Sequence, residues 1–438
     1  MKRTLQSWWT YVVLGLVGFY LLLYLFLDLP SNLRDTPAVD PMRTLLGALA
    51  TGLITAQALV FTIALVAAQL NARYTHRMVS RIFTWPTALY MGLFIGSSVY
   101  SMIVMATLSA RSTDYAINLP VVRPVHPVTV AIALAGTCLV LLVPYLWSFK
   151  KRLDPERMAI DEGIRAERRL KQGSGGEPQE VAALDNIIMS AYGYNDYDTF
   201  ATGLRVLGQV AVGAWELSLP RIGESVVRRI GHIGVATVDD RRAPFQVIEV
   251  LDGAGAYLAG HKMEEAARLV AATMSEIGEG AAERFRSSPC SLVASSLSAL
   301  GCRAADLGLA ATAEETAYSL GYLGAAVAQR GMQDSTRQVA ALLGRIGIRA
   351  AERNLDLVTR QALISLWSLG AQVCLHLPQH LDVVAGEIET LERSADQDLA
   401  VSSYLSAPRS QALEDFRVRY KERSQSNVNE GDKGKGHG

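Results

Sequence analysis

The feature that most constrains the fold is a run of residues near the N-terminus that carries no charge. After Arg43 the chain continues to Leu70 without an acidic or basic side chain. A helix rises 1.5 Å per residue, so a run of this length crosses a hydrocarbon layer of about 30 Å. The run predicts a transmembrane helix over 44–70, and therefore an integral membrane protein.

Three further apolar runs have the length of membrane spans, and they cover about 8–29, 86–108 and 127–149. The first of these runs is longer than the apolar region of a signal peptide, and no small-residue cleavage site follows it. We therefore expect a retained anchor there, and an all-α, four-span transmembrane domain over 1–152.

Basic residues near the span ends set the orientation of these spans. Eight lie on one side (Lys2, Arg3, Arg73, Arg77, Arg81, Lys150, Lys151, Arg152) and four on the other (Arg34, Arg43, Arg111, Arg123). The positive-inside rule then places both termini, and everything after Lys150, in the cytoplasm.

The second predicted span carries a stripe of small and polar side chains. They recur at intervals of three and four residues, which places them along one side of a helix: Ala48, Thr51, Thr55, Ala58, Thr62, Leu65 and Gln69. The bulky Leu53, Val60 and Phe61 lie on the other side. Hydroxyl and amide groups are disfavoured beside acyl chains, so we expect Thr51, Thr55, Thr62 and Gln69 to line a pore or a packing surface.

Two other patterns in the membrane region suggest contacts. Arg73, Arg77 and Arg81 share one helical face and form a cytoplasmic collar, which either sets orientation or binds anionic lipid or a partner. Gly92 and Gly96 form a G-x-x-x-G pair, which predicts a close helix crossing.

After the last span the composition changes. Residues 153–178 predict a charged amphipathic helix followed by a flexible linker, Gln172-G-S-G-G-E-P. A cytosolic α-helical domain is expected over 179–423, and 424–438 contains no apolar run and predicts a disordered tail.

From Gln246 onward the sequence repeats every 23 residues. The period is marked by six glycines, each with aliphatic or small residues four before, one before and four after it: Gly255, Gly278, Gly301, Gly324, Gly347 and Gly370. These positions share one helical face, so each period predicts one helix and a short turn. Stacked antiparallel helices then give a solenoid-like array, in which the glycines allow close approach.

Residues between the predicted repeat helices match turn and cap signals. Gly308, Gly331 and Asn354 keep the same period, and these residue types favour the left-handed conformation after a helix end. Thr312 with Glu315, and Ser335 with Gln338, match capping boxes for the helices that follow.

A tyrosine-rich segment, Y-G-Y-N-D-Y-D-T over 192–199, interrupts two helical stretches. Asn195 or Asp196 is expected to cap the next helix, and Gly193 to take a positive φ. The segment predicts either a capped turn or an interface site built from Gly193, Asn195, Asp196 and Thr199.

Motifs of catalysis and cofactor binding are missing from the sequence. It contains no nucleophile elbow, Walker lysine or dinucleotide fingerprint in a strand–helix context. Cys374, His376 and His380 resemble a metal cluster, but Pro378 interrupts the helix between the histidines. Basic and acidic residues both number 42, which gives no field for nucleic acid. We therefore expect neither an enzyme nor a cofactor, metal or nucleic-acid partner.

Three segments resemble a known family. They are V-F-T-I-A-L-V-A-A-Q-L over 60–70 with Arg77 after it, G-L-F-I-G-S-S-V-Y over 92–100, and G-Y-N-D-Y-D-T over 193–199. They are similar to signatures of domain-of-unknown-function family 2254, predicted bacterial integral membrane proteins. The resemblance implies a four-span domain with a cytosolic domain in the bacterial cytoplasmic membrane, and it implies no activity.

Two functions fit these observations. The first is a homo-oligomeric channel- or transporter-like assembly, surrounded by lipid, with the helical array as a regulatory domain. The second is a membrane-anchored scaffold, in which the stripe only packs helices and the array docks a protein partner.

Overall fold

A computed structural model describes residues 17–22, 24, 39–72, 85–110, 127–173, 176–395 and 413–421. Regular structure in this part of the chain is helical, without a strand, which agrees with the all-α expectation. The chain divides into two units, Met1–Met158 and Ala159–Gly438.

The first unit contains three long apolar helices in its described part. They are α1 Val39–Ala72, α2 Trp85–Ala110 and α3 Pro127–Leu153. Each contains a candidate membrane span: Asp40–Ile63, Ala88–Thr107 and Pro127–Trp147. Of the predicted span 8–29, only 17–22 and 24 are described, and they are helical. Three of the four expected spans are therefore found, and most of the other lies outside the described residues.

The three spans pack around buried aromatic and small side chains. Phe94 on α2 is fully buried, and Leu53 of α1 and Ala135 of α3 pack in the same cluster. The rings of Tyr90 and Tyr145 stack with centroids 4.4 Å apart. Packing of this kind holds membrane helices together, because lipid tails are as apolar as the core.

The second unit is a stack of helices, of which eleven have the following bounds. They are α4 Pro155–Lys171, α5 Gln179–Gly193, α6 Tyr197–Glu216, α7 Pro220–Thr237, α8 Ala243–Gly260, α9 Glu264–Glu283, α10 Ser287–Asp306, α11 Ala310–Gln329, α12 Gln333–Glu352, α13 Asp356–His376 and α14 Leu381–Ser394. A 3₁₀ turn over Pro378–His380 precedes α14, and residues 413–421 form a last helix, α15.

These helices form two layers. Each helix packs against its neighbours in sequence and against the helix two places along, so even-numbered and odd-numbered helices lie in separate layers. Helix α4 already belongs to the even layer, since Gly163 lies against Val206 of α6. The second unit therefore starts at Ala159, earlier than the predicted domain start at 179, and residues 172–178 connect two helices of the same stack.

The 23-residue period governs the helix bounds. Helices α9 to α13 begin 23 residues apart, at Glu264, Ser287, Ala310, Gln333 and Asp356. Helices α6, α7 and α8 also start 23 residues apart, at Tyr197, Pro220 and Ala243. The array thus reaches further upstream than the glycine pattern, which changes register between α8 and α9.

Each repeat glycine marks a close contact with two later helices. A methyl group built on Gly278 would lie 3.0 Å from Val293 on the next helix and 3.0 Å from Leu323 on the one after. Gly324 has the same relation to Val339 and Leu369, at 2.8 and 3.3 Å. The predicted close approach of helices at these glycines is confirmed, because a larger side chain there would overlap its neighbours.

The turns between repeat helices share one backbone geometry. A residue in the left-handed conformation follows the helix end, as predicted for Gly308, Gly331 and Asn354. The next N–H then bonds back across the turn, as Leu309 does to the carbonyl of Ala304 at 2.8 Å. The same conformation occurs at Ser218, Lys262 and Phe285, where the residue type does not signal it.

The predicted capping boxes are wrong. The N-cap of α11 is Leu309 and that of α12 is Met332, so Thr312 and Ser335 lie inside the first turn. The exposed N–H groups of α11 find another partner: Glu264 of α9 accepts from the N–H of Ala311 at 2.7 Å. The hydroxyl of Thr312 donates to the carbonyl of Glu264 at 3.0 Å. A neighbouring helix in the same layer caps α11, which a local sequence pattern does not reveal.

The short helix α15 packs at the end of the odd layer. A methyl group on Gly370 would overlap the ring of Phe416, and Phe416 also packs edge-on against Trp367, with centroids 5.5 Å apart. Phe416 follows Gly370 by two repeat lengths, so α15 occupies the place of the next odd helix. Part of the predicted tail region, 424–438, lies outside the described residues together with 396–412.

Candidate functional site

The polar stripe of α1 faces away from the rest of its unit. Leu46, Ala50, Leu53 and Val60 are buried against the neighbouring helices. All seven stripe residues are exposed in the single chain, including Thr51, Thr55, Thr62 and Gln69. A helix turns by about 100° per residue, which places the stripe opposite the buried side. The predicted division of α1 into a bulky side and a stripe agrees with this arrangement.

The stripe hydroxyls need no partner from another helix. Thr55 donates to the carbonyl of Thr51, and Thr62 to the carbonyl of Ala58, both at 2.8 Å. Their chain therefore does not shelter the stripe, contrary to the expectation that these groups must find protein or water. Bonding within the helix lowers the penalty of facing lipid, so lipid, a second copy or an aqueous path are all compatible neighbours.

The polar side chains that the unit does bury lie elsewhere. Ser98 and Ser101 of α2 donate to Phe94 and Ser97 carbonyls at 2.9 Å, and Thr137 of α3 donates to Ala133 at 2.7 Å. These hydroxyls also bond within their own helices. They form a polar seam between α2 and α3 that the sequence showed only as isolated serines and threonines.

The predicted crossing at Gly92 and Gly96 is not made within the chain. Both glycines are exposed, and a methyl group built on either would meet no other atom within 4 Å. The bulky Phe94 between them turns inward instead. The G-x-x-x-G face is thus left uncovered by the described residues. The predicted collar of Arg73, Arg77 and Arg81 lies outside the described residues.

In the second unit, the predicted interface turn is a capped turn. Asp196 is the N-cap of α6, and its carboxylate accepts from the N–H of Thr199 at 3.1 Å. The positive φ belongs to Asn195, at 57°, and the prediction for Gly193 is wrong because Gly193 ends α5 within helical geometry. Thr199 is buried.

This turn contacts the turn that joins α7 and α8. The phenol of Tyr197 donates to Asp240 at 2.7 Å, and the guanidinium of Arg242 lies 5.6 Å from the centre of the Tyr197 ring. Asp240 also accepts from the N–H groups of Arg242 and Ala243, at 2.7 and 2.9 Å. The turns are therefore tied together across two helices, a link that sequence spacing does not show.

The electrostatics of this link follow from its hydrogen bonds. The bond to Asp240 raises the pKa of the Tyr197 phenol. Burial alone would raise the pKa of Asp240, but bonds from Ala243, Arg242 and Tyr197 bring it below its ordinary value. The pair therefore holds an anionic carboxylate and a neutral phenol at neutral pH, which suits a structural tie.

A groove of about 760 Å³ lies on the even layer between α4, α6 and α8. Its polar lining includes both signs of charge: Glu167, Lys171, Arg205, Gln209, Glu216, Gln246 and Glu249. Lys171 pairs with Glu167, and Tyr257 bonds to Glu216. Glycines 208, 213 and 253 keep this part of the even layer open.

The three residues that resemble a metal cluster do not come together as ligands. His380 is buried and accepts at Nδ1 from Arg337, at 3.1 Å, while His376 is exposed. In the part of the chain that the structure describes, no group of three histidine, cysteine or carboxylate side chains could hold a metal ion.

Comparison with known proteins confirms the resemblance. The model of the family described as "Predicted membrane protein (DUF2254)" matches residues 6–186, which include the three candidate spans, α4 and part of α5. No curated protein matches the chain. Among solved structures, the chain is similar to a "Circular tandem repeat protein with novel repeat topology and enhanced subunit contact surfaces". The two are 11% identical with a TM-score of 0.35, over 95% of this chain and 99% of that one.

Proposed function

We propose that this protein forms a homo-oligomeric, channel- or transporter-like assembly in the bacterial cytoplasmic membrane, with the stripe of α1 facing other copies or a central path. The observation that supports this proposal is the position of the stripe. It lies opposite the side of α1 that the chain itself buries. A surface of small residues on that side is free to pack against another helix at short distance.

The threonines suit such an interface. Because Thr55 and Thr62 already bond to their own helix, a neighbouring helix can cover them without leaving an unpaired hydroxyl. The same hydroxyls can also accept hydrogen bonds from water along a path. In this proposal the array of α4 to α15 is the cytosolic regulatory domain.

Disulfide trapping in the membrane tests self-association. Single cysteines replace Thr55 or Ile63 in a background with Cys302→Ser and Cys374→Ser, the two native cysteines that are not fully buried. Both test positions are exposed, but Ile63 lies about 100° round the helix from the stripe. We expect oxidised dimers from T55C and few from I63C. Equal trapping at both positions would contradict an interface at the stripe.

A flux measurement then separates a path from mere packing. In reconstituted vesicles, the double variant Thr55→Leu with Thr62→Leu is expected to abolish ion or solute flux, because bulky apolar side chains dewet a narrow path. Wild-type flux from a variant that still assembles would leave an oligomer without conduction along this stripe.

A membrane-anchored scaffold is the second candidate, and a specific surface favours it. Tyr318 and Tyr322 lie one turn apart on α11, with 55% and 52% of each side chain exposed. Exposed tyrosines of this kind are common in protein interfaces. A photo-crosslinker placed at Tyr322 in the full chain should give one discrete adduct, which Tyr318→Ser removes. Adducts of random size, unaffected by Tyr318→Ser, would argue against a docking site.

A further inference from the structure

The two edges of the helical array carry different turns. Even helices start and odd helices end at one edge, which we call the first edge and define by residues 194–196, 238–242, 284–286 and 330–332. The second edge consists of 217–219, 261–263, 307–309 and 353–355. First-edge turns contain five arginines and two aromatic residues: Arg241, Arg242, Arg284, Arg286, Arg330, Tyr194 and Phe285. Second-edge turns contain Lys262, Arg353 and no aromatic residue.

Phe285 is not accounted for by the folding of its own chain. It has a φ of 57°, a left-handed conformation that glycine and asparagine adopt most readily. The equivalent positions two and three turns along are Gly331 and Asn354, in the same conformation. Burial offers no compensation, because 68% of Phe285 is exposed. A large apolar side chain is therefore held in water at a position where it strains the backbone.

Two arginines hold fixed positions on either side of Phe285. Arg284 donates to the carboxylate of Asp239 at 3.0 Å and to the carbonyl of Val235 at 3.2 Å. Arg286 donates to the same carboxylate at 3.4 Å. One carboxylate thus faces two guanidinium groups, which leaves a net positive charge at an exposed site. Exposed pairs of this kind are weak, so the guanidinium groups remain available to phosphate.

Chain connectivity relates the first edge to the membrane. Gly163 of α4 lies against Val206 of α6, and these residues are eight and nine positions after their helix starts. The ends of both helices line the same groove, so the two helices run parallel and α4 also starts at the first edge. Pro155, the first residue of α4, follows closely on Leu153, where the last membrane-spanning helix ends. The first edge is thus the edge at which the chain arrives from the membrane.

We propose that the first edge docks on the anionic headgroup surface of the membrane in which α1 to α3 lie. Phe285 enters the headgroup layer, and Arg241, Arg284 and Arg286 contact lipid phosphates. Aromatic rings flanked by cations are the typical composition of protein surfaces at this depth. The proposal is independent of any oligomer or conduction through the spans.

Spin labels on the full chain in lipid nanodiscs test the docking. Phe285→Cys and the matched control Leu307→Cys, at the second edge one turn further along, are labelled in the Cys302→Ser, Cys374→Ser background. Relaxation by dissolved oxygen is compared with relaxation by a water-soluble nickel chelate. In phosphatidylglycerol-rich discs the Phe285 label should be several-fold less accessible to nickel than the Leu307 label, yet fully accessible to oxygen. In pure phosphatidylcholine the difference should shrink.

Two results would overturn the proposal. One is equal nickel accessibility of both labels in both lipids, and the other is protection of the Phe285 label from oxygen as well as nickel, which indicates a protein contact. A second variant guards against a label that disturbs the turn. Phe285→Gly relieves the backbone strain, so it should not lower the urea midpoint, but it should raise nickel accessibility of a label at Tyr194→Cys. Unchanged accessibility there would also count against docking.

Discussion

Glycine has opposite roles in the two units of this protein. In the array, Gly278, Gly301 and Gly324 each face side chains of two later helices, and a methyl group would overlap them. In the membrane unit, Gly92 and Gly96 face nothing within 4 Å. Water drives the array helices together until the smallest side chains limit their distance. Lipid exerts no such force, so small residues on a membrane helix can stay at the surface of the chain.

The largest expected difference concerns buried aromatic side chains. Trp367→Ala should destabilise the array by about 3–5 kcal/mol, because it loses hydrophobic transfer energy and leaves a cavity beside Phe416 and Tyr420. Urea unfolding of the full chain in nanodiscs, followed by far-ultraviolet circular dichroism, measures this loss.

The matched variant in the membrane unit is Phe94→Ala, at an equally buried position. Only packing is lost there, since the exposed ring would otherwise lie in lipid, so its effect on unfolding in dodecyl sulfate should be smaller. Equal losses in both units would show that the contrast between water and lipid does not govern their stability.

A smaller effect is expected from enlarging one glycine in each unit. Gly301→Leu places a side chain against Thr316 and Ile346, and overpacking of this kind costs about 1–3 kcal/mol. Leucine is a good helix former, so the loss reports packing and not helix propensity. The urea midpoint of the array should fall.

The control, Gly96→Leu, has open space around it and should leave the fold of the single chain unchanged. The same variant also sharpens the comparison. If Gly96 packs against another copy, the variant should reduce disulfide trapping or oligomer size while the chain stays folded. A misfolded Gly96→Leu chain would mean that the glycine supports the protomer itself.

The sequence reveals regular features of this fold and misses those that depend on partners distant in the chain. The 23-residue period is visible because each repeat needs a small residue at one place on one helical face. The caps at Thr312 and Ser335 were misassigned because Glu264 of another helix supplies the hydrogen bonds. Only three-dimensional contacts show that Tyr197 reaches Asp240.

The candidate site shows the same limit. The stripe of α1 follows from helical spacing, and its opposition to the buried side agrees with the structure. Its need for shelter was overestimated, because the bonds of Thr55 and Thr62 to carbonyls four residues earlier were not considered. Which neighbour covers the stripe depends on other molecules, and no pattern within one chain encodes that choice directly.

The smallest expected effect concerns charge, which the array tolerates in half-buried places and the membrane spans exclude. Burial, with the nearby Glu276 and Glu283, raises the pKa of Glu279 on α9. A raised pKa in the fold penalises the charged form, so stability falls as pH rises from the ordinary glutamate value through the raised one. Glu279→Gln removes this penalty at pH 7 and should raise the unfolding free energy by about 0.5 kcal/mol or less.

Two comparisons identify the cause of that gain. Near pH 4 the wild-type side chain is largely protonated in the fold, so the advantage of Glu279→Gln should shrink toward zero. Because burial is the largest contribution at Glu279, Glu276→Gln, which removes only a like charge, should give a smaller gain at pH 7. A larger gain from Glu276→Gln would mean that repulsion dominates, and a gain from Glu279→Gln that persists at pH 4 would show that ionisation is not involved. Urea midpoints of the three chains at both pH values distinguish these outcomes.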